Sequence, residues 1–291
     1  MATQNYDEKM VVRKGLDFQL ESDDIPKYWM AGDVYKTRMM DAVQATFPDG
    51  ERYFISTVRA FRDDITDPQM KHDVADFMMQ EGQHGKVHTQ YNDRLARQGI
   101  KIKRLTDEMK RINEVRLRRY SAKYNVALTA AFEHFTAMMA DLFFADKKML
   151  AGADERVRAM LAWHAVEEME HKSVAYDVMQ KVAKVGYFRR VGAMTHAIFS
   201  FILVSIMLTN WFLKDDGYSW RQRQLITLKA MPWTIGHMLR RLIPMVLIYY
   251  KPGFHPQQMK SVHNYPDWRD SYAETGDPVK AGEAMYAAAY S

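Results

Sequence analysis

Apolar residues recur in steps of three and four along most of the chain, and strand-like alternation is rare. That pattern predicts helices almost throughout. After an irregular lead-in over residues 1–27, a first helical stretch runs from Tyr28 to Ala45. Phe47-Pro48-Asp49-Gly50 interrupts it, and a second segment covers Glu51 to Ile65. Asp67-Pro68 is a start signal, a capping carboxylate followed by a first-turn proline, for a helix that stops at Gly99. Residues 100–122 are strongly basic and read as a crossover. Two further helices follow, from Tyr124 to Leu150 and from Asp154 to Val185, closed by Gly152 and Gly186. Residues 28–186 thus form one helical domain.

The pattern then changes. Val191 to Leu213 is a 23-residue run without Asp, Glu, Lys or Arg. Its length would span a bilayer, yet Thr195, His196, Ser200, Ser205, Thr209 and Asn210 make it only moderately apolar. A single span would also place Arg221, Arg223, Lys229, Arg240 and Arg241 on the outer side, against the positive-inside tendency. A helix packed on the domain and an in-plane contact through residues 191–250 both avoid that conflict. Residues 187–251 are therefore an apolar helical extension, and residues 252–291, rich in Pro, Gly and Asp, read as an extended tail.

Composition narrows the chemistry. With 47% apolar residues among 291, a large core is within reach. There are no cysteines, which excludes disulfides, thiolate zinc sites, iron–sulfur clusters and cysteine nucleophiles. Any metal must be held by nitrogen and oxygen. The net charge of +5 comes from interspersed charges and does not predict a nucleic-acid partner. Met1 to Asp24 has no signal-peptide core, so a cytoplasmic protein, or one peripheral to the inner face of the membrane, is expected.

The apolar faces carry carboxylates and imidazoles. One seam reads Val157, Leu161, His164, Glu168, His171, Ala175, Val178 and Val182, all on one side of a helix. Burying three titratable groups there without compensation would cost several kcal/mol, and a metal ion is the simplest compensation. Glu167, Glu170 and Lys172 fall off the seam and read as solvated charges. An earlier face holds Val74, Phe77, Glu81, His84, His88 and Tyr91. Glu81-Gly-Gln-His84 and Glu168-Met-Glu-His171 are both Glu-x-x-His pairs, whose side chains reach one point above the helix. Glu133 faces inward beside Ala130, Ala137 and Ala140, and Glu51 shares a face with Phe54, Ile55 and Val58. His88, one turn past His84, is either an eighth ligand or an outer-shell partner. The bland alternative is four helices whose buried polar groups satisfy one another.

Taken together, Glu51, Glu81 with His84, Glu133, and Glu168 with His171 match the carboxylate-bridged two-metal recipe of ferritin-like four-helix bundles. The chain resembles those di-iron proteins in spacing over residues 45–180. The His164 to His171 segment is similar to the fourth helix of the p-aminobenzoate N-oxygenases, and that resemblance makes His164 an additional iron ligand. Phe47-Pro48-Asp49-Gly50-Glu51-Arg52, Glu81 to His84, His164 to His171 and Tyr250 to Pro256 resemble a bacterial family of predicted metal-dependent hydrolases.

The expectation is an all-α, ferritin-like bundle with added N- and C-terminal helices. It would bind two iron ions, or an Fe/Mn or other divalent pair. The leading function is oxygen activation on a small or lipid-like organic substrate, with dioxygen and an external electron donor as partners. Metal-dependent hydrolysis and iron storage are the alternatives, and a homodimer is a candidate assembly.

Overall fold

A computed structural model describes residues 9–290. Residues 1–8 of the expected lead-in lie outside the described residues. The fold is all-helical, as the periodicity predicts. Among the described residues there is no β-strand, only isolated bridges such as Met30 with Ala153.

Helix α1 covers Val34–Gln44, later than the expected Tyr28 start. Ala31 and Gly32 adopt φ of 51° and 77°, which turns the chain, and the Asp33 side chain then caps α1 by accepting from the Lys36 amide. Helix α2 spans Phe47–Arg59. The expected interruption at Phe47-Pro48-Asp49-Gly50 is in fact its first turn, where proline costs no hydrogen bond. Helix α3, Pro68–Arg97, is capped by Asp67 and followed by Gly99 at φ 92°. The basic crossover is itself helical, α4 from Ile102 to Arg119. Helix α5 covers Ala122–Phe144.

The fourth expected helix is broken. Helix α6, Glu155–His171, is followed by the short α7, Val174–Asp177, and a π-turn at Val178–Val182. The break falls where the C-terminal chain crosses. Lys172 Nζ donates to Met259 O at 3.1 Å, and the Tyr176 hydroxyl donates to Phe254 O. Helix α8 spans Tyr187–Asp215, α9 Trp220–Trp233 and α10 Arg240–Tyr249, with a π-turn at Thr234–Leu239 between the last two.

The tail is not extended. It forms α11, Tyr265–Thr275, and α12, Pro278–Ala287, each started by proline. They bury Tyr265, Trp268 and Met285. Helix α12 crosses α6 so closely that a Cβ on Gly282 would lie 2.5 Å from Ala159 Cα.

Helices α2, α3, α5 and α6 enclose the centre: α2 packs on α3 and α5, and α6 packs on the same two. Helices α8 to α10 form an outer layer on α1 and α5. Arg38 of α1 fixes the end of α8 through Asp216 at 2.7 Å, while also pairing with Asp41 at 2.7 Å. The apolar core divides into two clusters. On α3, Val74 and Phe77 belong to one and Val87, Tyr91 and Leu95 to the other. The carboxylates and histidines occupy the layer between.

Candidate metal centre

The structure brings all seven sequence-predicted residues and His88 into that layer. Glu51 comes from α2, Glu81, His84 and His88 from α3, Glu133 from α5, and His164, Glu168 and His171 from α6. All are buried, none more than 6% exposed. Their donor atoms form overlapping sets, each within 4.8 Å of one another: Glu81, Glu133, Glu168 and His171; Glu51, Glu81 and His84; His84, His164 and Glu168; Glu51, His88 and His164.

His171 shows how the histidines are aimed. Its Nδ1–H donates to Gln80 Oε1 at 2.9 Å. Its Nε2 therefore faces the Glu81, Glu133 and Glu168 carboxylates at 3.2, 3.3 and 3.4 Å. His84 is oriented the same way: Nε2–H donates to Glu167 Oε2 at 3.0 Å, leaving Nδ1 at 3.8 Å from Glu81 and 3.7 Å from Glu168. A partner that fixes the far nitrogen of an imidazole is the usual support of a metal-binding histidine. His164 places Nε2 at 2.8 Å from Glu168 and shares a 2.8 Å hydrogen bond through Nδ1 with His88 Nε2.

The solvated reading of Glu167, Glu170 and Lys172 is overturned. All three are buried, because α11, α12 and the N-terminal segment cover the back of α6. Arg13 joins the two carboxylates, donating to Glu167 at 3.0 Å and to Glu170 at 2.7 Å. Glu170 also accepts from Gln80 Nε2 at 2.9 Å and from the Tyr265 hydroxyl at 3.0 Å. One polar chain, Gln80–Glu170–Arg13–Glu167, thus supports His171 and His84 together. Sequence reasoning missed Arg13, Gln80 and Tyr265. The signal for Glu167 and Glu170 was present, since Ala159, Ala162, Val166 and Met169 make α6 apolar all round, and such helices are buried.

The donor atoms are not satisfied by the protein. Both oxygens of Glu51, Glu81 and Glu133, with His84 Nδ1 and His171 Nε2, are buried and lack a hydrogen-bond partner among the described residues. Such orphans are rare and costly in native structures. Without a cation, burial and then the neighbouring carboxylates push Glu51 and Glu81 well above the usual carboxyl range, and Glu133 up to about 7. Burial acts on Glu168 in the same sense, but the His171 and His164 imidazoles hold it well below. Burial would lower His171, yet Glu168 and Glu133 hold it well above. These opposed charges are what bound cations would relieve. Gly85 permits the approach of α2 here, as a Cβ there would meet Glu51 Oε2 at 3.3 Å.

A cavity of about 90 Å³ reaches this layer between α1, α2, α4, α5 and α8. Phe47, Phe54, Phe132, Phe135 and Met139 supply its walls, and Glu51, His164 and Glu168 its polar end.

Compared with known families, the sequence matches one described as predicted metal-dependent hydrolase, over residues 12–260. The chain belongs to this family. No curated protein and no solved structure matches it. The match to the metal-dependent hydrolase family takes in Arg13 and all eight residues of the polar layer, while α11 and α12 lie beyond it. Metal dependence is thus indicated by the family and by the candidate His/Glu clusters.

Proposed function

We propose that α2, α3, α5 and α6 form a ferritin-like bundle holding two metal ions, and that the protein is a two-metal hydrolase acting on an apolar organic substrate. The orphaned donor atoms carry this reading: eight buried oxygens and nitrogens converge from the four helices α2, α3, α5 and α6 with no hydrogen-bond partner among the described residues. Glu81 belongs to both principal donor sets and would serve both positions. Glu51 and His84 complete one position, and Glu133, Glu168 and His171 the other. His164 would add a third imidazole beside Glu168, oriented by His88. Four carboxylates, at least three imidazoles and no thiolate suit iron or manganese. A bound pair would activate water and polarise the scissile group. The protein contributes orientation and dryness. The phenyl rings of Phe47, Phe54 and Phe132 hold the organic part of the substrate, and the Gln80–Glu170–Arg13–Glu167 chain fixes the imidazoles.

A second reading is oxidation by dioxygen, with two irons and an external electron donor. The imidazole content favours it, as does the fact that every titratable group at the polar end of the cavity is also a candidate ligand, which leaves no separate acid for a leaving group. Elemental analysis should find about two transition-metal ions per chain, and Glu81→Ala should lower that to one or fewer. The reaction class is decided by assay under argon and under oxygen. Metal-dependent ester or amide cleavage indifferent to oxygen supports the hydrolase. Oxygen consumption by the reduced iron form, without such cleavage, replaces it with the oxidase.

A further inference from the structure

The α8–α10 layer has an inner face that fits the protein and an outer face that fits nothing in it. Among the described residues, α8 is long and apolar enough to cross a membrane by length and composition, and only 22% of its most apolar stretch is buried. Phe199, Ile202, Leu203 and Ile206 point outward, from 43% to 70% exposed. From Trp220 to Tyr249 the chain is continuously helical through the π-turn, and Tyr249 is its one buried residue. Leu228, Met231, Ile235, Leu239, Ile243 and Leu247, all exposed, follow one another in steps of three and four. The wider π-turn accommodates the steps of four, so the stripe stays on one side. Exposed apolar surface that is continuous over two helices marks a docking face.

The charge around this face indicates its occupant. Between Gly217 and Pro266 there is no Asp or Glu, while Arg221, Lys229 and Arg240 are exposed along the helix. Beside α8 lies α4, where Arg104 sits over Trp211 at 4.2 Å, and Tyr120, just past the end of α4, meets His196. Its 18 residues carry seven cations and three carboxylates. An apolar stripe edged by cations fits an anionic lipid surface. The cations also fix the orientation. Lys229 and Arg240 interrupt α9 and α10 well short of the roughly 20 uncharged residues that a span needs. Ala193, Met194, Ala197 and Leu208 bind α8 to the bundle along its length, so the layer lies in the membrane plane.

The cavity meets the same surface. Ser200, Phe201, Val204 and Ser205 line it, on the same two turns whose outward residues are Phe199, Ile202, Leu203 and Ile206. Met109, Asn113 and Arg116 of α4 line the same cavity. We propose that the protein docks through α8–α10 on an anionic bilayer and draws an acyl-chain lipid between α4 and α8 into the cavity. The docking stands by itself; the choice of lipid as substrate rests on the metal-centre reading above.

The test uses the full-length, metal-loaded protein and two vesicle types, phosphatidylcholine alone and phosphatidylcholine with phosphatidylglycerol. Flotation should show binding to the anionic vesicles that weakens with salt. The variant L203E/I206E/L228E should lose it on the order of tenfold or more. No binding by the unmodified protein, or equal binding by the variant, overturns the docking. Self-association abolished by the same substitutions, without vesicle binding, overturns it in favour of a contact between copies. Resistance to alkaline carbonate extraction overturns the in-plane orientation in favour of a span. Cavity entry is read separately from the fluorescence of cis-parinaric acid. Ser200→Trp or Ser205→Trp should abolish its binding and leave flotation intact, whereas L203E/I206E/L228E should do the reverse. Failure of the unmodified protein to bind parinarate removes the lipid substrate. Metal content stays constant across these variants, so a defect in the two-metal reading would appear there and nowhere in the flotation.

Discussion

Helix α6 and the α9–α10 helix invert what their compositions suggest. Helix α6 carries Arg158, His164, Glu167, Glu168, Glu170 and His171, yet every residue from Val157 to His171 is buried. The α9–α10 helix is largely apolar, yet buries Tyr249 alone. Hydrophobicity does not decide between them; partners do. Each charge on α6 meets an opposite charge, a hydrogen-bond donor or a converging ligand set, so burial is tolerated. The outward apolar residues of α9–α10, Leu228, Met231, Ile235, Leu239, Ile243 and Leu247, stay exposed.

Four measurements would break or sharpen this contrast. The largest effect is expected at Arg13. Arg13→Leu strands Glu167 and Glu170 in the interior, and losing one partner of a buried ion pair costs about 3–5 kcal/mol; chemical denaturation should show that loss, and an unchanged midpoint would mean that α6 does not depend on its partners. Next is Gly282→Val, which forces α12 off Ala159 and should cost about 1–3 kcal/mol by the same measurement. A smaller effect concerns pH in chelator-treated protein. Burial raises Glu133 to about 7, and it raises Glu51 and Glu81 well above the ordinary carboxyl range. The folded state then binds more protons than the unfolded one, so stability is lost as pH rises through 7. The unfolding free energy from chemical denaturation should climb from pH 8 to pH 6.5, by an amount on the order of 1 kcal/mol. Below that, His84 and His88, held low by burial, begin to oppose the trend. Metal loading should reverse the trend, since cations compete with those protons. The smallest effect is Leu228→Ser in α9, expected within about 0.5 kcal/mol because the side chain is 63% exposed. A loss as large as at Arg13 would show that α9 is covered in solution.

Much of this was legible in the sequence where the determinant is local. Asp67-Pro68 and Gly99 bound α3 as their capping chemistry requires, and the three-and-four spacing of His164, Glu168 and His171 placed them on one face. What escaped was non-local. Pro48 reads equally as a break or as a first turn, and only the packing of α2 on α3 selects the second. The tail looked extended because Pro, Gly and Asp are frequent there, but Pro278 opens a helix and Gly282 allows its contact with α6. Glu167 and Glu170 read as solvated because Arg13, their partner, lies more than 150 positions away.

The polar chain behind the histidines has a consequence for how the protein is made. Glu170 is gripped by Arg13, 157 positions before it, and by Tyr265, 95 positions after it. During synthesis the first grip is available as soon as α6 emerges, whereas the second must wait until Tyr265 has left the ribosome. Until then His171 is aimed by an incompletely anchored Gln80, and α6 lacks the cover of α11 and α12. The support behind the histidines is therefore completed later than the ligand set itself, and a nascent chain stalled before residue 265 should retain metal poorly although every candidate ligand has already been made.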